Sequence, residues 1–166
     1  MPQWRNWNTR TAQNRIPQGL EVQILSGAKI KKYMEKDFNK WNERKKETDA
    51  GIVGIVFYER EAWWAYAGVN IGVEMDGKHE RFLRPVIVVR KFNKDMALIV
   101  PTTAQNKQGN KYYLTVVGDD NKKYTVCLSQ IRAISSKRLF RKVGTIDRAS
   151  YDNLLEKLSD MIKGWP

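Results

Sequence analysis

Hydrophobic and polar positions along the chain change texture three times. From residue 28 to about 48, Ile30, Tyr33, Met34, Phe38 and Trp41 recur at helical spacing, and the other face carries lysines and arginines from Lys31 to Lys46. This spacing predicts an amphipathic helix, started at Ser26-Gly27, with a solvated basic face. From Gly51 the pattern turns to short strand-like runs. Segments 61–68 (EAWWAYAG), 84–92 (RPVIVVRKF), 96–104 (MALIVPTTA), 111–117 (KYYLTVV) and 124–134 (YTVCLSQIRAI) read as strands. IVGIVFYE reads as a short strand or a lead-in segment. Residues 70–82, with Gly72, Gly77 and many charges, read as a long mobile loop. GDDNKK reads as a hairpin turn and SSKRLFRK as a basic connection with a helical turn. Helical spacing returns over 150–162, where Tyr151, Leu154, Leu155, Leu158, Met161 and Ile162 form one stripe behind a cap at Asp147 or Ser150. Five or six short strands joined by hairpins predict a mainly β fold: a compact antiparallel barrel with an N-terminal and a C-terminal helix packed outside. The first 20 residues show no period and read as an irregular arm. Residues 1–50 therefore form an arm and helix, and 51–166 the barrel domain with its C-terminal helix.

The two most apolar strands have polar residues at their open end. Arg84 begins one, just before Pro85, and Thr102-Thr103 end the other. If Asn93-Lys94 is a two-residue turn, Arg84 lies opposite Thr103 on one face, with Cβ atoms about 5 Å apart. A three-residue loop puts Arg84 against Ala104 and leaves Thr103 on the other face. Pro85 holds Arg84 extended and interrupts pairing near the strand start. Arg84 thus stands on a rigid strand where it leaves a loop, a suitable mount for a working charge. An arginine at a strand end also commonly does no more than reach solvent.

Composition narrows the function. Thirty Lys and Arg against eighteen Asp and Glu give a net charge of +12, which favours a polyanion: nucleic acid or an acidic protein. With 42% hydrophobic residues the chain can bury a core, yet no run is long enough to span a membrane. The N-terminus has no apolar signal-peptide region, so the reading is cytoplasmic. Cys127 is the sole cysteine, which excludes a disulfide framework and a cysteine zinc site; inside an apolar strand it reads as a small buried hydrophobe. No metal or cofactor is expected: Asp76 and Asp119-Asp120 invite a divalent cation only weakly, and the latter sit in an ordinary hairpin turn. His79 is the sole histidine, which excludes a two-histidine ribonuclease within one chain. It precedes Arg84 in the loop and is a candidate general base, although a solvated loop histidine is the plainer reading. Basic residues from Lys91 to Lys142, Arg132 among them, offer phosphate contacts for single-stranded RNA, and one ring of Tyr112-Tyr113 or Tyr124 can stack on a base. Trp63 and Trp64 alternate, as packing residues do.

The ordered set EREAWW, GVNIGVEMDGK, FLRPVIVVRKF, ALIVPTTA and CLSQIRAISSKRLFRKVGTI resembles the MazF/PemK/Kid-type toxins of bacterial toxin–antitoxin modules over residues 58 to 162. The helix bearing DFNKWNERKK resembles an extension found in a subset of that family. The resemblance implies a small SH3-like barrel, a homodimer, inhibition by a cognate antitoxin protein, and metal-independent cleavage of single-stranded RNA at short motifs. It implies a catalytic pair of Arg84 and Thr103, with substrate binding by Glu74, Thr102 and Gln130. The chain departs from the family pattern at Met75, Ser129 and Tyr124. Two other readings share the barrel: a non-enzymatic gyrase-inhibiting toxin of the CcdB type, which the KGWP end matches only superficially, and a catalytically inactive RNA-binding relative.

Overall fold

The structure is a computed structural model that describes residues 36–51, 55–105, 107 and 109–164. The chain divides into two units, Met1–Met34 and Glu35–Pro166, and all described residues belong to the second. Its elements are α1 (Phe38–Ala50), β1 (Glu61–Tyr66), β2 (Leu83–Lys91), β3 (Met96–Thr103), β4 (Tyr113–Val117), β5 (Lys123–Cys127), β6 (Arg132–Ser135), β7 (Leu139–Thr145) and α2 (Arg148–Lys163). The strands form one antiparallel sheet in the order β4-β5-β3-β2-β1-β7, with β6 also paired to β3. The sheet curls until its two edges meet at a single bridge, Gly118 to Ile146. Asp119 N also donates to Thr145 O and Asp147 N to Val117 O, at 2.8 and 2.9 Å. The expected barrel is therefore drawn together at one place rather than closed by a continuous ladder.

Burial on both faces explains why β2 reads as an unbroken apolar run. Ile87 and Val89 pack with Val100, Val126 and the α2 residues Tyr151, Leu154 and Leu158. Val86 and Val88 face the other way, against Phe57, Trp63, Ile99 and Leu139. Each such side chain contributes roughly 1.5–3 kcal/mol by leaving water. Of the α2 stripe, Tyr151, Leu154, Leu158 and Met161 dock on the first of these layers while Leu155 and Ile162 stay exposed, and Asp147 caps the helix by accepting from Ser150 N at 2.7 Å. Ser150 in turn accepts from Val117 N at 2.9 Å, which ties the helix start to β4.

Three sequence expectations change. The run 124–134 is not one strand: β5 ends at Cys127, a 3-10 turn covers Leu128–Gln130, and β6 follows. The reason lies in β3, whose one edge serves both partners. Its residues Met96–Ile99 pair with β6, and Thr102 and Thr103 pair with β5, so the chain must step between the two ladders. Pro101, which has no N–H to give, stands between them. The segment SSKRLFRK holds the expected helical turn at Ser136–Arg138 but continues as the strand β7. Its charges hid it, because an edge strand tolerates Arg141 and Lys142 on its solvent side. Helix α1 begins at Phe38 behind Asp37, whose carboxylate accepts from Lys40 N at 2.8 Å; the start expected at Ser26-Gly27 lies outside the described residues. Ile30, Tyr33 and Met34 lie outside the described residues. No helix among the described residues is long and apolar enough to cross a membrane.

Of the expected α1 stripe, Trp41 is buried and Phe38 remains 49% exposed. Trp41 seats its ring on Gly68, where a Cβ would fall 2.3 Å from the indole; the φ of +83° there also calls for glycine. Phe82 meets the indole edge at 5.5 Å between ring centroids, and the Arg138 guanidinium lies 5.4 Å from it. The segment 36–50 is thus docked on the sheet beside the loop that leads to Arg84.

Candidate active site

The β2–β3 hairpin turns through Asn93–Asp95. Phe92 N donates to Met96 O at 3.0 Å, and Asp95 N to the Asn93 side chain at 2.8 Å. This is the three-residue loop, not the two-residue turn. A bulge at Val89, between the pairs Val88–Ile99 and Arg90–Leu98, takes up the extra residue. Beyond it the pair Val86–Pro101 stands in the register of the shorter turn. Continued two positions, that register sets Arg84 and Thr103 on one face.

Their side chains find other partners. Arg84 is 8% exposed; its Nε donates to Asp76 O and its Nη1 to Thr102 O at 2.9 Å. Nη2 has no protein acceptor among the described residues. The Thr103 hydroxyl, half-buried, accepts from Gln105 N at 3.2 Å. Thr102 is buried and donates to Pro85 O at 3.1 Å, so it braces the hairpin through both its hydroxyl and its carbonyl.

The loop 70–82, expected to be mobile, is tied at many points. The Asp76 carboxylate accepts from Asn70 N at 2.6 Å and pairs with Lys36 at 2.7 Å; Lys36 also donates to Asn70 O. One ammonium therefore joins both ends of the segment 70–76. Gly77 N donates to Gly68 O at 2.6 Å, and a Cβ on Gly77 would fall 1.9 Å from Phe82 O, so only glycine fits this crossing. Gln130 accepts from Met75 N at 3.1 Å, which holds the loop against the turn after β5. Glu74 is exposed on the rim. His79 is exposed at the tip of the tight turn 78–83, in a hollow with Trp64, Leu83, Phe140 and Arg141. No hydrogen bond or ion pair joins it to Arg84 among the described residues.

A row of guanidiniums runs across the site. Arg132 donates from Nη2 to Ala67 O at 3.2 Å, and its Nε is buried without a partner. Arg138 donates to Tyr66 O at 3.1 Å. Burial pushes the pKa of Arg84 down first; Asp76 offsets this in part, and the positive charge of Arg132 lowers it further. Burial likewise lowers Arg132, with Glu74 and Asp76 opposing, and lowers Arg138, where Arg132 adds repulsion. Three partly desolvated cations in sequence favour an anion that spans them. Sequence reasoning found Arg84 and Arg132 but not the anchoring role of Asp76 or Lys36. Nothing local marks a loop acid whose carbonyl holds an arginine eight residues on. Arg138 stood only among many basic residues.

Comparison with known proteins adds to this geometry. Residues 67–162 match the family described as the PemK-like, MazF-like toxin of type II toxin–antitoxin systems. A search of curated proteins finds no match. Among solved structures, MazF from Deinococcus radiodurans superposes with a TM-score of 0.57 at 16% identity, covering 67% of this chain and all of that one. An endoribonuclease from a mycobacterial species, solved with its cognate antitoxin, superposes with a TM-score of 0.50 at 12% identity over the same shares. At these identities both show likeness of fold. With the family match covering more than half of its length, the chain belongs to the PemK-like, MazF-like toxins of type II toxin–antitoxin systems.

Proposed function

We propose that this chain is an endoribonuclease that cleaves single-stranded RNA at short motifs without a metal. The observation that carries the reading is the row of partly desolvated guanidiniums led by the buried Arg84, with the Thr103 hydroxyl at the hairpin's open end. RNA supplies its own nucleophile. The 2′-oxygen bonds to phosphorus as the P–O5′ bond breaks, leaving a 2′,3′-cyclic phosphate and a 5′-hydroxyl; the proton lost at O2′ is balanced by one gained at O5′. The protein must align this displacement and stabilise the charge that grows on the phosphate. Arg84, fixed through Nε and Nη1, has Nη2 for a non-bridging oxygen. Thr103 hydrogen-bonds the phosphate or the 2′-hydroxyl. Arg132 binds a neighbouring phosphate, while Glu74 and the Gln130–Met75 contact border the bases. His79 takes no part.

Two partners follow from this reading. An antitoxin with an acidic, apolar segment suits a basic site whose rim exposes Ile71 and Val73. A second copy of the chain, as a homodimer in the cytoplasm, accords with the family. The test is incubation of purified protein with a long single-stranded RNA in the presence of chelator. Discrete fragments with cyclic phosphate ends support the proposal. Binding without cleavage would make the chain an inactive relative, and neither binding nor cleavage would overturn the RNA reading.

A further inference from the structure

Helix α1 and the loop after β1 enclose a groove of about 850 Å³. Phe38, Asn42 and Lys45 line its helix side, Ile71 and Glu74 the loop side, and Arg132 and Arg138 the sheet side. The helix lies outside residues 67–162, so the family match assigns it nothing. Its wall is nevertheless fixed in place: Trp41 sits on Gly68, Lys36 pairs with Asp76, and Lys137 pairs with Asp49 at 3.3 Å.

The groove's chemistry fits a nucleotide. Its volume lies within the range of small-ligand sites. Phe38 leaves its ring half exposed on the groove side of a helix whose other aromatic, Trp41, is buried. Lys45 is exposed and has no acid partner among the described residues. Arg132 keeps a buried, unpartnered Nε, and it is the link between this groove and Arg84. An exposed ring beside cations and a side-chain amide is the composition that holds single-stranded RNA by stacking and phosphate contact. We propose that the groove between α1 and the sheet is an additional nucleotide subsite of the RNA substrate, in which Phe38 stacks on a base and Lys45 and Arg138 hold its phosphate. The proposal rests on the nuclease reading and lengthens the substrate that reading requires.

The test uses the full chain and a Phe38→Ala/Lys45→Ala variant, which leaves Trp41 in place. Once the wild-type cleavage motif is mapped, two RNAs carrying a 2′-deoxy nucleotide at the scissile step are titrated. One spans the motif alone, and the other extends several nucleotides to each side. The variant should bind the extended RNA roughly 5- to 50-fold more weakly and the short RNA unchanged, with kcat on a cleavable short RNA also unchanged. Equal affinity of variant and wild type for the extended RNA, or equal loss on both RNAs, would overturn the subsite while leaving a cleaving wild type as the nuclease proposed. A wild type that neither binds nor cleaves RNA would overturn both.

Discussion

In the proposed reaction Arg84 serves structure and chemistry through different nitrogens. Its Nε and Nη1 satisfy two backbone carbonyls, at Asp76 and Thr102. Truncation to alanine leaves both unpaired, so Arg84→Ala is expected to lose about 1–3 kcal/mol of stability along with at least 10³-fold of cleavage. Arg84→Lys should recover part of the melting temperature and none of the cleavage, which separates the two roles by comparing denaturation with rate. Thr103→Val keeps the shape and removes the hydroxyl. It should lower kcat about 10- to 100-fold while the melting temperature stays within a few degrees. His79→Ala, in its separate hollow, should leave the rate within about twofold; a 100-fold loss would return the general base to that residue. Glu61 offers a test by pH. Burial raises its carboxyl pKa, but hydrogen bonds from Lys142, Tyr58 N and Trp63, with the Lys142 charge, outweigh this and hold it below the ordinary value. A lowered folded pKa stabilises the protein above the unfolded value, and that stability is lost as pH falls through the folded one. Urea melts should therefore show wild-type stability declining below about pH 4, and Glu61→Gln should remove that part of the decline.

The elements differ in how openly the sequence declared them. Strands β2 and β3 and helix α2 were legible because double-sided burial and a 3.6-residue stripe write themselves in Val, Ile and Leu. β7 was not, since an edge strand buries little and Leu139 is its one fully buried residue. The Val89 bulge was invisible: a bulged valine in an apolar run looks like its neighbours, so the hairpin's open end kept the expected register although the turn did not. In the site, Pro85 pointed to Arg84 from the next position, whereas Lys36 and Asp76 meet only in three dimensions, 40 positions apart. Helix α1 makes a prediction of its own. Gly68→Ala places a methyl in the Trp41 ring and should displace the helix, with an altered tryptophan emission spectrum and a loss of roughly 1–3 kcal/mol. Lys36→Met should leave the helix docked but remove one of the ties between the ends of the 70–76 segment, loosening it and lowering kcat more than it raises KM.

For the molecule as a whole, charge would govern the proposed hold on RNA. The three guanidinium–phosphate contacts proposed above predict an RNA affinity that falls about 20-fold between 50 and 200 mM salt, and Arg138→Gln should reduce the log–log slope by about 0.7. The same row of arginines has a consequence in time. Arg84 reaches its two anchors 8 and 18 residues away, whereas Arg132 and Arg138 reach back 65 and 72 residues to Ala67 and Tyr66. On a ribosome, which releases the N-terminal part first, the hairpin carrying Arg84 and Thr103 can close before the cations beside it have emerged. Under the proposed function, a nascent chain lacks part of its RNA site until residue 138 has emerged, so the order of translation itself shields the polysome from the protein it is making.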